Sequence, residues 1–205
     1  VETHIHRDRL WMQIAVAVLT NVFVATASIF QSRYLKDVRE YSALEISLFI
    51  TITTIPATVG LVAGGRLADK VGRKIVAVAT VPTGTMLYAL SFTTHGVAMW
   101  FFAIVGGILL GISYPAMAVF RSELFPTAHR NMGSALIMVA SLIGGSVGLI
   151  GAGVLLDNGM SYGRVMTTFA LGPVLVAVLV ALRFPETAHL ELETINPEDA
   201  HLKGL

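Results

Sequence analysis

The chain has 205 residues, of which 55% are hydrophobic and 13% are charged, and its mean hydropathy is +0.74. Soluble domains carry about 25% charged residues, so this composition indicates a protein embedded in lipid and excludes a disordered chain. The net charge of +1 leaves no electrostatic case for nucleic acid as a partner, and the absence of Cys excludes disulfides and thiolate metal sites.

Six long apolar runs follow one another along the chain. A helix that crosses about 30 Å of hydrocarbon needs roughly 20 apolar residues. The runs that meet this requirement, each nearly free of ionisable side chains, are Leu10 to Gln31, Leu44 to Leu67, Ile75 to Thr94, Val97 to Phe120, Met132 to Leu156 and Val165 to Phe184. They predict an all-α, multi-pass membrane bundle of six transmembrane helices over residues 10–184. We predict that the first run is a transmembrane span and not a cleaved signal peptide, because it is longer than the apolar part of such a peptide and five more spans follow it.

Basic residues are distributed unevenly between the two sets of loops. The positive-inside rule assigns the richer set to the cytoplasm. The poorer set holds four of the 14 basic residues, Arg33, Lys36, Arg39 and Arg164, and the other ten lie at the termini and in the second and fourth loops. We therefore expect both termini to be cytoplasmic, in a protein of the cell (plasma) membrane.

Polar side chains recur at helical spacing in three of the spans, which indicates the wall of a water-facing cavity. The first span carries Gln13, Thr20, Asn21, Ser28 and Gln31, the second carries Ser47, Thr51, Thr54 and Thr58, and the fourth carries Ser113 and Tyr114. From these we predict four substrate-pathway residues, which are Asn21, Gln13, Thr54 and Tyr114. Asn21 comes first because an amide in the middle of a span needs a partner in hydrocarbon. The alternative, that Ser and Thr hydroxyls bond only their own or a neighbouring helix, stays open.

Glycines spaced by four residues predict close helix packing in the second and fifth spans. The pairs are Gly60 with Gly64 and Gly144 with Gly148. The segment from Gly144 to Gly148 also fits the Gly-x-Ser-x-Gly form of serine hydrolases, but no His falls inside a span to act as the base for Ser146. We predict packing, not an enzyme, and no cofactor, because metal-ligand and phosphate-loop motifs are absent from the sequence.

A short motif occurs twice, three spans apart. Both copies have a Gly, three residues, an Asp and then a Gly-Arg pair, and they begin at Gly65 and at Gly153. Because an odd number of spans separates the copies, they would lie on opposite sides of the membrane. This is the arrangement of an inverted three-plus-three repeat.

The first copy of this motif resembles the cytoplasmic signature loop of the major facilitator superfamily of secondary transporters. It reads Gly65-x-x-x-Asp69-Lys70-x-Gly72-Arg73-Lys74. The segment from Glu123 to Gly133 is similar to the loop between helices ten and eleven of sugar and organic-solute porters in that family. Pro185-Glu186-Thr187 is similar to the tail of the same porters, although the Gly that usually follows is missing. The resemblance covers the chain as the C-terminal six-helix half of a twelve-helix carrier.

This resemblance implies a fold, a function and a gating network. Residues 1–9 would be the end of a cytoplasmic linker, 10–184 the transmembrane domain and 185–205 a cytoplasmic tail. The function would be secondary active or facilitated transport of a sugar, organic acid or related metabolite by alternating access. The carrier would use an N-terminal six-helix half as partner and the bilayer as its medium, and coupling to a proton stays open. Any proton-binding carboxylate would lie in the other half, because none lies deep in a span here. Drug efflux by the same fold, or a non-transporting six-helix scaffold or channel subunit, is the alternative.

The resemblance also implies a gating network of charged residues and glycines, in which Arg73 pairs with Glu123. Its residues are Gly65, Asp69, Gly72, Arg73, Lys74, Glu123 and Arg130.

Overall fold

Six α-helices make up the regular structure of the described residues. The computed structural model describes the backbone of residues 2–123, 130–184 and 186, and the side chains of residues 8–120, 131–184 and 186. The helices are α1 (Glu2–Asp37), α2 (Ala43–Val71), α3 (Arg73–Leu90), α4 (Gly96–Glu123), α5 (Arg130–Asp157) and α6 (Tyr162–Arg183). The predicted all-α bundle of six helices is confirmed.

Five of these helices are long and apolar enough to cross a membrane within the described residues. The segments are Asp8–Asp37, Ala43–Val71, Gly96–Phe120, Asn131–Asp157 and Tyr162–Arg183. Helix α3 is not among them, because it has 18 residues and its first turn contains Arg73 and Lys74. Helix α3 also ends at Leu90, before the predicted end at Thr94. Just after Leu90, the Ser91 hydroxyl donates to the Tyr88 carbonyl oxygen and the Thr93 hydroxyl donates to the Leu90 carbonyl oxygen.

The packing of the helices repeats when α1–α3 are exchanged with α4–α6. Helix α2 packs against α4 as α5 packs against α1, and α3 packs against α4 as α6 packs against α1. Helices α3 and α6 pack against each other, which is the contact that such an exchange leaves unchanged. This pattern is the internal two-fold symmetry that the repeated motif predicted.

Glycines set the closest helix contacts, as the sequence predicted. A Cβ on Gly60 would lie 2.6 Å from the Ile108 carbonyl oxygen of α4, and one on Gly148 would lie 2.5 Å from the Val22 carbonyl oxygen of α1. Both distances are too short for a methyl group. The α2–α4 and α1–α5 pairs therefore pack backbone to backbone.

Candidate functional site

A cavity of about 420 Å³, the Gln13 cavity, lies between α1 and α4 and reaches the inner sides of α3, α5 and α6. Its polar lining consists of amides and hydroxyls, from Gln13, Thr20, Asn21, Thr85, Ser113, Tyr114 and Ser141. The remaining lining side chains are apolar, and none of the described residues around this cavity is charged. A site of this kind hydrogen-bonds a neutral polar group and excludes an isolated ion.

Two side-chain amides fix α1 to its neighbours at this cavity. The Gln13 Nε2 donates to the Phe120 carbonyl oxygen of α4 at 3.0 Å, and the Asn21 Nδ2 donates to the Ser141 carbonyl oxygen of α5 at 2.6 Å. Inside a membrane an amide must find a partner, so both contacts hold α1 in register. The two predicted pathway residues of α1 thus line the same cavity.

Tyr114 lies between this cavity and a second one. The second cavity, the Phe23 cavity, has a volume of about 520 Å³ and shares Val24, Leu110 and Tyr114 with the first. Tyr114 is 65% exposed, although it lies within a membrane helix. Phe23, Tyr88 and small residues of α2 and α4 complete the Phe23 cavity.

Three of the hydroxyls around the Phe23 cavity, those of Ser28, Thr58 and Tyr88, are bonded inside the protein. The Ser28 and Thr58 hydroxyls donate to carbonyl oxygens of their own helices, and the Tyr88 hydroxyl donates to Gln31 Oε1 at 2.6 Å. The cavity is therefore mainly an apolar and aromatic surface. It differs in this respect from the Gln13 cavity.

Thr54, the fourth predicted pathway residue, lines neither cavity. It lies on the exposed face of α2, and its carbonyl oxygen accepts the Thr58 hydroxyl. The Ser47 and Thr51 hydroxyls likewise bond their own helix. The periodic polar stripe of α2 is thus largely satisfied by its own backbone, which is the alternative that the sequence left open.

Sequence reasoning missed Thr85 of α3, which lines the Gln13 cavity and is fully buried. Helix α3 carries Thr80, Thr83 and Thr85 without a stripe that leads to one face. No periodic signal separates Thr85 from its neighbours, so only the packing of α3 against α4 and α6 identifies it.

A cluster of charges lies at the end of α2, where Gly72 alone separates α2 from α3. Gly72 has a φ of +117°, which favours glycine, and its N–H donates to the Ala68 carbonyl oxygen. Across this turn the Arg73 guanidinium contacts Asp69 Oδ1 at 3.5 Å. The Asp69 side chain is 69% exposed and that of Arg73 is 18% exposed, so the pair sits at the surface of the bundle.

The carboxylate at the start of α3 belongs to Glu186. Its two oxygens accept the backbone N–H groups of Arg73 and Lys74 at 2.9 and 3.1 Å. Asp69 lies in the last turn of α2, and Glu186 is the carboxylate at the N-terminal end of α3. The unpaired amides and the dipole of a helix N-terminus favour an anion there.

The other predicted gating residues are placed only in part. Glu123 is the last residue of α4 and Arg130 the first of α5, and the side chains of both lie outside the described residues. The pairing of Arg73 with Glu123 stays a prediction. A Cβ on Gly65 would be 4.0 Å from the Pro115 Cβ, whereas Gly64 directly abuts the Ile112 backbone.

Ser146, the candidate hydrolase nucleophile, lies on the exposed face of α5. Its hydroxyl donates to the Leu142 carbonyl oxygen of its own helix at 3.0 Å. Gly144 and Gly148, on either side of it, abut the backbone of Val18 and Val22 on α1. The segment therefore packs helices together.

The family of the chain follows from comparison with known proteins. The model of the Major Facilitator Superfamily matches residues 12–203, so the chain belongs to this family of multi-pass membrane proteins. This confirms the resemblance carried by the signature loop, and with it the prediction that the chain is not an enzyme.

Curated relatives of the chain are named as transporters. One, named "Probable 4-methylmuconolactone transporter", from Cupriavidus pinatubonensis, is 30% identical over 171 residues, which are 80% of this chain and 38% of the relative. A "Gentisate transporter" from Corynebacterium glutamicum is 30% identical over 143 residues, which are 65% of this chain and 32% of the relative. The chain thus spans about a third of the length of these relatives.

Among solved structures, the fold matches the inward-open xylose transporter XylE from E. coli. The TM-score is 0.66 at 15% sequence identity, and the match covers 97% of this chain and 52% of XylE. At this identity the match establishes the fold alone.

Proposed function

We propose that the chain is the C-terminal six-helix half of a carrier that moves a small organic acid across the cell membrane by alternating access. The described helices match about half of one carrier fold, and their packing has the symmetry of a single three-plus-three repeat. Residues 1–9 then form the end of a linker, 10–184 the transmembrane domain and 185–205 the tail. The partner of this chain is an N-terminal half of the same carrier.

The observation that carries the proposal is the position of the Gln13 cavity. It is formed by α1 and α4, the first helices of the two repeats, and Tyr114 projects from it with most of its surface exposed. A cavity at the interface of inverted repeats, lined by neutral polar groups, is where carriers of this architecture bind their solute. This chain supplies one wall of that site.

Organic acids are favoured over sugars by the relatives. The gentisate and 4-methylmuconolactone relatives are each 30% identical to the chain, whereas the xylose transporter shares only 15%. The described residues around both cavities are uncharged, so a solute carboxylate needs a cation from elsewhere in the carrier. A carboxylate that couples transport to protons would likewise come from elsewhere in the carrier.

The charge cluster between α2 and α3 is assigned to the cytoplasmic side, together with both termini, by the excess of basic residues there. There Gly65, Asp69, Gly72, Arg73, Lys74, Glu123 and Arg130 would hold the cytoplasmic side closed. A half-exposed ion pair such as Asp69 with Arg73 contributes about 1 kcal/mol or less. A contact this weak suits a gate, because a stronger one would trap a single state.

Uptake of defined solutes tests the proposal. The full-length carrier, which consists of residues 1–205 and the proposed N-terminal half, is reconstituted in liposomes. It is given labelled gentisate, 4-methylmuconolactone or xylose, with and without an inward proton gradient. We expect saturable uptake of gentisate or 4-methylmuconolactone, or of both, above that of protein-free liposomes. Uptake of xylose alone, or of none of the three, would contradict the assignment.

A further inference from the structure

Helix α3 is the shortest of the six helices, and a charge from another part of the chain meets each of its ends. It has 18 residues, which span about 27 Å against roughly 30 Å of hydrocarbon. A span this short brings its terminal amides and carbonyls to the edge of the hydrocarbon, where an unsatisfied polar group is costly. At the N-terminal end, the carboxylate of Glu186 accepts the first two amides.

The other end of α3 is held by Arg39, which lies in the turn between α1 and α2. The Arg39 guanidinium donates to the carbonyl oxygen of Thr94, in the turn that follows α3, and to the Tyr34 hydroxyl at 2.8 Å. The Tyr34 hydroxyl in turn donates to the Thr94 carbonyl oxygen at 3.3 Å. One carbonyl after α3 therefore accepts hydrogen bonds from two side chains of another part of the chain.

The charge of Arg39 is directed at this helix end and not at a carboxylate. Arg33 pairs with Asp37 and Arg73 with Asp69, whereas Arg39 has no carboxylate partner within the part of the chain that the structure describes. The C-terminal end of a helix carries a partial negative charge and unpaired carbonyls, both of which favour a cation. Arg39 is thus the electrostatic counterpart of the carboxylate at the start of α3.

The contact rests on a well-packed support. Tyr34 is buried, and its ring centroid lies 5.1 Å from that of Phe92, in the turn after α3, and 5.6 Å from that of Tyr162 in α6. The turn that carries Arg39 is closed by the Tyr41 N–H, which donates to the Leu35 carbonyl oxygen at 3.0 Å. Both sides of the contact are therefore fixed before the guanidinium joins them.

We propose that Arg39 and Glu186 hold α3 at its two ends by complementary charge, and that Arg39 is a positioning residue for the cavity walls that α3 supplies. Helix α3 brings Thr85 to the Gln13 cavity and Tyr88 to the Phe23 cavity. Loosening of either end of α3 would therefore disturb both walls. The inference does not depend on which solute is carried, so its test is separate from the uptake test of the proposed function.

Hydrogen exchange of backbone amides tests this inference, because it reports the local opening of each end of α3. The full-length protein in detergent micelles is compared with Arg39→Gln, Arg39→Lys and Glu186→Gln. Arg33→Gln is the matched control: it removes the same charge at the same end of α1, but Arg33 pairs with Asp37 of its own helix. Exchange is followed at residues 91–95 after α3, at residues 73–77 at its start, and at residues 143–149 of α5 as a reference for the intact fold.

Arg39→Gln should speed exchange at residues 91–95 about tenfold or more, the effect of losing a hydrogen bond to a charged group, and should leave residues 73–77 unchanged. Glu186→Gln should show the reverse pattern. Arg39→Lys keeps the charge and should stay within about threefold of the wild type. Arg33→Gln should match the wild type at both ends of α3.

The proposal is overturned if Arg39→Gln exchanges at residues 91–95 as slowly as the wild type, or if Arg39→Lys exchanges there as fast as Arg39→Gln. It is also overturned if Arg33→Gln loosens this turn as much as Arg39→Gln does. If Arg39→Gln also speeds exchange in α5, Tyr34→Phe decides in its place. That variant removes only the hydroxyl between Arg39 and Thr94, and unchanged exchange at residues 91–95 would then reject the inference.

Discussion

Side-chain amides are the residues of this bundle that sequence identifies most directly. Gln13 and Asn21 stand in an apolar run, and an amide has too many polar atoms for its own helix to satisfy. Both amides bond the backbone of other helices at the Gln13 cavity. Hydroxyls are less informative because the helix backbone can satisfy them. For this reason Thr54 was selected from its spacing and Thr85 was overlooked.

Replacing Gln13 should weaken solute binding. Gln13→Ala removes a buried amide that lines the cavity, together with its bond to the Phe120 carbonyl oxygen, so the cavity wall is altered. We expect kcat/KM for gentisate to fall about tenfold or more, measured as initial uptake into liposomes. Thr168→Ala is the control, because Thr168 lies on the exposed face of α6 and its hydroxyl donates to the Arg164 carbonyl oxygen of the same helix. Equal uptake by the wild type and Gln13→Ala would remove Gln13 from the pathway.

Replacing Asp69 should change the speed of the carrier and spare its affinity. Asp69→Asn removes the charge that contacts Arg73 at 3.5 Å, and Asp69 lines neither cavity. Transport should slow while the KM stays within about twofold, because the pair biases the two states of the gate and does not touch the solute. Asp157→Asn, at the matching position of the second repeat, is the control. An unchanged turnover number would count against a gating role.

At the scale of the elements, glycines decide which helices come closest. The spacing of Gly60 and Gly64, and of Gly144 and Gly148, predicted packing surfaces on α2 and α5. The helices that meet those surfaces could not be predicted, because the pairing of α2 with α4 and of α5 with α1 depends on the three-dimensional order of the bundle. The exact contacts, such as Gly148 against Val22, follow from that order.

Two glycines of α5 provide a matched test of this packing. A Cβ at position 148 would lie 2.5 Å from the Val22 carbonyl oxygen, whereas nothing lies within 4 Å of one at position 153. Gly148→Ala should therefore lower the free energy of unfolding by about 1–3 kcal/mol, and Gly153→Ala should leave it unchanged or slightly raised. The Tm of the two variants in the same detergent checks this. Equal Tm values would show that α1 and α5 are not in close contact at Gly148.

The start of α3 shows a second limit of sequence reasoning at this scale. The loop from Gly65 to Lys74 was identified from its own residues, and the turn at Gly72 agrees with it. The carboxylate that accepts the first amides of α3 comes from Glu186, more than a hundred residues away. The tail motif was visible in the sequence, but its contact with this helix end was not.

At the scale of the whole molecule, composition and periodicity predicted six helices, their order and their lipid environment. The symmetry of the packing followed from a motif that occurs twice. The cavities were not predictable as volumes, because they arise where α1 and α4 meet residues of α3, α5 and α6. Under the proposed function, the exposed side of Tyr114 would face the N-terminal half of the carrier.

The most direct test of the account is whether the six helices act as one wall of a carrier. Residues 1–205 alone and the full-length protein are reconstituted in matched liposomes, and labelled gentisate uptake is measured for both. We predict uptake by the full-length protein and none by residues 1–205, because one wall cannot enclose the solute or alternate its access. Saturable uptake by residues 1–205 alone would contradict the account.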